Sequence, residues 1–164
     1  MASIALGLLA ASGTAKLIDP APTTGAMRAA RLPAGDLLTY ALGACEIVVG
    51  LGGLALGGVT AGAAALLYAG FTVFTFAAVR KRIPIQSCGC FGREDTPPSV
   101  IHVAYDATAA AAIGFVALNN GPVDWAMPSL DLVLYLGFAA VGVVASYFLM
   151  TRLPQVLALA RATP

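Results

Sequence analysis

The stretch LLTYALGACEIVVGLGGLALGGVTAGAAALLYAGFTVFTFAA, residues 37–78, is almost uninterrupted apolar sequence with one ionisable carboxylate, Glu46. One straight helix of about 42 residues would run about 63 Å, twice the hydrocarbon core of a bilayer. The run must therefore fold back on itself, and the cluster Gly52, Gly53, Gly57 and Gly58 offers the turn, which predicts helices near 36–57 and 59–80. The same glycines stand in small-xxx-small spacing, Gly53 to Gly57 and Gly58 to Gly62, a pattern that lets helix backbones approach closely. A turn and a packing seam compete for these residues.

The flanks extend the pattern. Ala2 to Ile18 is apolar and near the short limit for a spanning helix. A secretory signal needs a basic start, whereas the first basic residue here is Lys16 at the far end, so a retained helix over 2–18 is expected. After the long run comes a polar segment, 81–99, whose prolines and charges exclude it from lipid-facing helix. Ser99 is placed to cap a helix over 100–118, Asn119-Asn120-Gly121-Pro122 reads as a turn, and Trp125 as an interfacial aromatic. A last helix is expected over 130–150, ending at Arg152 and Pro154. The expected fold is an all-α integral membrane protein, a single multi-pass domain over 1–164 with a four-helix-bundle-like core and about five transmembrane helices.

Composition agrees with this reading. The 164 residues are 59% hydrophobic and 10% charged, with a mean hydropathy of +0.87, against about 45–50% and about 25% in soluble domains. A net charge of +1 excludes a basic nucleic-acid binder, the apolar content excludes disorder, and three cysteines are too few for a disulfide scaffold.

Charge placement predicts an orientation. Lys16, Arg28, Arg31, Arg80, Lys81, Arg82, Arg93, Arg152 and Arg161 fall on one side of a five-span topology, and Asp124 and Asp131 on the other. By the positive-inside rule the N-terminus is outside a cell membrane, with the C-terminus and the segment 81–99 cytoplasmic.

Chemistry concentrates in that segment. Cys88 and Cys90, separated by Gly89, can close a small strained disulfide ring that is more readily reduced than a structural bridge. Arg80, Lys81, Arg82 and Arg93 nearby favour thiolate. The pair can also hold a soft metal such as Cu(I) or share zinc. Cys45 lies near mid-bilayer in the second expected helix, where a lone cysteine usually serves packing; its functional reading is a third, resolving thiol. Glu46 at similar depth calls for a partner or a polar cavity. Lys16 and Asp106 are available, with His102 one turn before Asp106 and read as interfacial. The bland reading is a structural pairing of Lys16 with Glu46 or Asp106; the sharper one has Glu46, Asp106 or His102 moving protons as thiols and disulfides interconvert. Tyr68, Phe71, Phe74 and Phe76 raise a quinone pocket, but aromatic residues in membrane helices more often pack or face lipid, and no quinone is assigned.

Four pieces together resemble the MauE branch of the DoxX-like membrane proteins: Gly13-Thr14-Ala15-Lys16-Leu17-Ile18-Asp19-Pro20, Glu46-Ile47-Val48-Val49-Gly50, the Phe-rich third helix, and Cys88-Gly89-Cys90-Phe91-Gly92. The last string is the most specific. The resemblance implies a membrane partner of a thioredoxin-like protein, supporting disulfide formation or maturation of an exported client enzyme such as methylamine dehydrogenase. It also implies a bundle similar to that of the disulfide-forming quinone reductases related to vitamin K epoxide reductase. The chain departs from the family pattern at Tyr105-Asp106, where a basic residue followed by Asn or Asp is expected.

Three functions follow as expectations. The leading one is a membrane thiol-disulfide oxidoreductase or redox relay, with Cys88 and Cys90 exchanging, Cys45 resolving, Glu46 and Asp106 handling protons and Lys16 as countercharge. The others are copper or zinc handling through the Cys-Gly-Cys motif, and a non-catalytic membrane assembly subunit.

Overall fold

The structure, a computed structural model, describes residues 1–85, 87, 96–119 and 128–162, with side chains described as far as Val156. All its regular elements among these residues are helices: α1 Ala2–Ile18, α2 Ala21–Ala29, α3 Asp36–Leu56, α4 Gly58–Arg80, α5 Val100–Leu118 and α6 Ser129–Ala162. Four of them, α3 to α6, are long and apolar enough to cross a membrane, or five spans if the bent pair α1 and α2 counts as one.

α1, α3, α4 and α5 close a ring around a core of Leu6, Leu9, Tyr68, Ala109 and Ile113, and α6 packs on the outside against α1. Glycines set the closest approach. On α3 the buried face is Thr39, Gly43, Glu46, Gly50 and Gly53, the spacing of one helix stripe. A β-carbon on Gly43 would stand 2.8 Å from the Gly13 carbonyl oxygen, and one on Gly50 would stand 2.8 Å from that of Leu6. Backbone therefore meets backbone along α1 and α3, and Glu46 is held inside that seam.

The competition at the second glycine cluster divides by residue. Gly57 (φ 63°) and Gly58 (φ 48°) take left-handed conformations and form the turn, with the Thr60 hydroxyl within 2.7 Å of the Gly57 carbonyl and 2.9 Å of that of Gly52. Gly53 packs against Leu6 and Ala61, whereas Gly62 faces open space. Neither expected small-xxx-small pair is thus realised as a pair: Gly53 packs, Gly57 and Gly58 turn, and Gly62 stands in open space.

α1 covers the expected residues 2–18; its 17 residues reach about 26 Å, near the short limit for a span, and the chain then bends by 97° into α2. Pro20 forces the bend by excluding Asp19 from helical backbone; Asp19 is extended (φ −138°, ψ 96°) and its carboxylate accepts the Ala21 N–H at 3.2 Å. Two expectations are corrected. The first is α2 itself, which occupies sequence between the expected helices 2–18 and 36–57 and starts where Pro22 sits in the first turn, a position that tolerates proline. The second is the last helix, which does not stop at Pro154. Proline removes the donor that the Met150 carbonyl would receive four residues later, and the Thr96 hydroxyl donates to that carbonyl at 3.2 Å instead.

Helix order places the α2–α3 connection, the end of α4, the start of α5 and the C-terminal half of α6 at one end of the bundle. Arg28, Arg31, Arg80, Lys81, Arg82 and Arg152 belong to that end.

Candidate functional site

Lys16 and Glu46 form an ion pair at 3.0 Å with 3% and 0% of their side chains exposed. Glu46 lies ten residues into α3, about 15 Å from its start, close to the middle of a hydrocarbon layer. The geometry follows from the glycine seam: with Gly13 and Gly43 in backbone contact, the Lys16 stem lies along α3 and its ammonium reaches the carboxylate one turn on. The ammonium also donates to the Ser12 hydroxyl at 2.7 Å and lies 5.9 Å from the centre of the Phe71 ring. Ser12 is the other polar neighbour of the Glu46 carboxylate, whose Oε1 is enclosed and accepts no bond of good geometry among the described residues.

Asp106 is buried in the same half of the bundle, 3% exposed. The Thr75 hydroxyl lies 3.4 Å from its Oδ2. Between Ser12, Tyr68, Tyr105 and Asp106 is a cavity of about 20 Å³, room for one water molecule. Ser12 thus touches the ion pair on one side and a space shared with Asp106 on the other.

A larger cavity of about 280 Å³ opens beside Lys16, with Thr23, Met27, Leu42, Phe71 and Phe74 among its walls. α2 closes its end, held down where the Thr24 hydroxyl meets that of Thr39 at 2.8 Å and donates to Asp36 at 3.3 Å.

The methylamine utilisation protein MauE family matches residues 1–120, nearly three quarters of the 164-residue chain. The chain belongs to the MauE family. No curated protein and no solved structure matches it. As a MauE-family member with several apolar helices, it is a multi-pass membrane protein.

Within this MauE chain the structure brings Lys16, Glu46 and Asp106 into one buried region and gives Lys16 to Glu46 rather than Asp106. Cys45 is exposed on the outer side of α3, turned about 100° from Glu46 by one residue of helix, and does not join them. Cys88, Gly89 and Cys90 lie outside the described residues, as do Arg93, Asp124 and Trp125. His102 is 0% exposed, and its ring folds back to cap α5, with Nδ1 accepting the Ser99 N–H at 3.3 Å and lying 2.9 Å from the Ser99 hydroxyl. Phe76 is exposed, so of the aromatic group named from sequence only Phe71 and Phe74 wall the larger cavity.

Residues of the site that were given no role from sequence are Ser12, Thr75 and Tyr105. Ser12 carried a usable signal, since it stands four residues before Lys16 and so on the same helix face. Among the described residues no three His, Cys, Asp or Glu side chains converge as a metal site.

Proposed function

We propose that this MauE-family chain is a membrane thiol-disulfide oxidoreductase or redox relay that works with a thioredoxin-like partner in disulfide handling or in maturation of an exported client enzyme. The observation that carries the reading is the buried Lys16–Glu46 pair with Asp106 close by, all in the half of the bundle from which the cysteine-bearing segment leaves and to which it returns. Ionisable groups at such depth are costly and mark functional sites in membrane proteins.

The flanks of that segment are anchored at this end. Ile85 is buried against Ala26 of α2 and Ala78 of α4, and Thr96 is bonded to α6. Cys88 is three positions after Ile85, a reach of at most about 11 Å.

In the exchange, a Cys88 or Cys90 thiolate attacks one sulfur of a disulfide on the partner and forms a mixed disulfide. The second thiolate then attacks the bridging sulfur on this chain, closing the Cys88–Cys90 bond and releasing the partner as a dithiol. Two electrons pass to the partner, and the two protons lost here match the two it gains. Glu46 and Asp106 serve as proton acceptors, with Lys16 as the countercharge of Glu46. Cys45, facing outward, is left out of this scheme.

The basic end is assigned to the cytoplasm by the positive-inside rule. A cysteine pair there meets a reducing pool, which returns the Cys88–Cys90 disulfide to the dithiol after each transfer. Cys88→Ser or Cys90→Ser traps the mixed disulfide, visible as a reductant-sensitive adduct in membranes; absence of any adduct and of any redox-dependent mobility shift overturns the reading.

A further inference from the structure

α2 and α4 stop in the same way at the same end of the bundle. In each, the last turn is closed by a long backward bond, from the Leu32 N–H to the Met27 carbonyl at 2.9 Å and from the Ile83 N–H to the Ala78 carbonyl at 3.0 Å. The residue just before that donor is left-handed, a position that favours glycine. Here it is arginine both times: Arg31 (φ 59°) and Arg82 (φ 49°) are the non-glycine residues of positive φ among the described residues. We propose that these two helix ends form a binding site for the headgroup of an anionic phospholipid. The site uses no residue of the exchange scheme, so the two readings fail separately.

The two ends meet. Ala26 of α2, Ala78 of α4 and Ile85 share one small apolar cluster with Phe74 and Ile83, which joins the helix end bearing Arg28 and Arg31 to the one bearing Arg80, Lys81 and Arg82. All five basic side chains are exposed, and none makes an ion pair among the described residues. The described carboxylates near this end, Asp19 and Asp36, accept from the Ala21 N–H and the Thr24 hydroxyl, which leaves the end in cationic excess.

General demands on basic residues do not explain where these arginines sit. The helix dipole favours cations in the last turn, which Arg28 and Arg80 supply. The sidedness of membrane proteins depends on the number of basic residues, not on their backbone conformation. Neither effect puts arginine on a left-handed residue, where it is strained, and strain of this kind is retained at ligand clamps. A guanidinium is a planar fork that matches phosphate oxygens. Apolar surface adjoins the basic ends, with Leu37 and Leu38 exposed at the start of α3 and Phe76 exposed one turn before Arg80. That surface takes acyl chains, which selects a lipid phosphate over a free one.

The test titrates the full chain in detergent with phosphatidylglycerol or phosphatidylcholine and reads the first binding constant for each by native mass spectrometry. The parent prefers phosphatidylglycerol, and Arg31→Gly and Arg82→Gly each lower that preference about fivefold. Both glycine variants hold or raise the unfolding midpoint, because glycine accepts this backbone, so the loss is not a loss of fold. Arg31→Asn with Arg82→Asn, also tolerated in left-handed backbone, lowers the preference as well. Arg152→Gln, which removes one charge from the same end, leaves it nearly unchanged, and glycerol phosphate at equal concentration does not compete. No preference in the parent, a preference retained in the glycine and asparagine variants, an equal loss in Arg152→Gln, or competition by glycerol phosphate overturns the proposal.

Discussion

Replacing Glu46 with Gln leaves the Lys16 ammonium in place and removes its countercharge. Both side chains are withdrawn from solvent, at 3% and 0% exposure, with 3.0 Å between the charged atoms, so neither water nor salt can screen the uncompensated cation. Breaking such a pair by removing one partner costs about 3–5 kcal/mol. For a chain of this size each kcal/mol lowers the unfolding midpoint by about 2–4 °C, which gives a fall of roughly 6–20 °C. The assay is thermal unfolding followed by circular dichroism in nanodiscs. The companion variant, Lys16→Met with Glu46→Leu, removes both charges and refills the seam with apolar volume, and it recovers most of the loss because the pair's desolvation cost goes with it. A shift below about 2 °C in Glu46→Gln, or a double variant as unstable as the single, would falsify the view that this is a fully desolvated pair.

Two further predictions come from the packing. Gly43→Ala drives a β-carbon against the Gly13 carbonyl and the Lys16 stem and lowers the unfolding midpoint by at least several degrees, whereas Gly62→Ala, in open space, holds or slightly raises it through helix propensity. Thr96→Val leaves the Met150 carbonyl without its donor and costs about 1–3 kcal/mol; with Pro154→Ala present, the restored N–H takes over and the Thr96→Val cost largely disappears, which a double-mutant thermal cycle reads directly.

What was legible in the sequence follows the range of the interactions involved. The fold-back of residues 37–78 is written locally, because bilayer thickness limits helix length and Gly57 and Gly58 accept backbone that other residues resist. α2 lies between the expected helices 2–18 and 36–57, a short helix whose first turn carries Pro22, the one place in a helix where proline is at home. The length of α6 was hidden because the group that satisfies the carbonyl freed by Pro154 sits 54 positions before it, on Thr96.

The candidate site divides in the same way. Lys16, Glu46 and Asp106 stand out in sequence because charge is rare in apolar helices. The choice of Glu46 as the partner of Lys16 depends on the Gly13–Gly43 contact, a tertiary feature with no local signature. The outward turn of Cys45 and the inward turn of His102 are likewise fixed by which helix face is buried, and α3 and α5 are too uniformly apolar for their sequence pattern to mark that face.

The most direct test is the redox state of Cys88 and Cys90 in intact membranes, read by mass spectrometry after differential labelling with an impermeant thiol reagent applied from each side. The account predicts that both sulfurs become unreactive together under mild oxidant, regain reactivity together under reductant, and are labelled from the face that carries the basic residues. Thiols that stay in one state under both treatments contradict it.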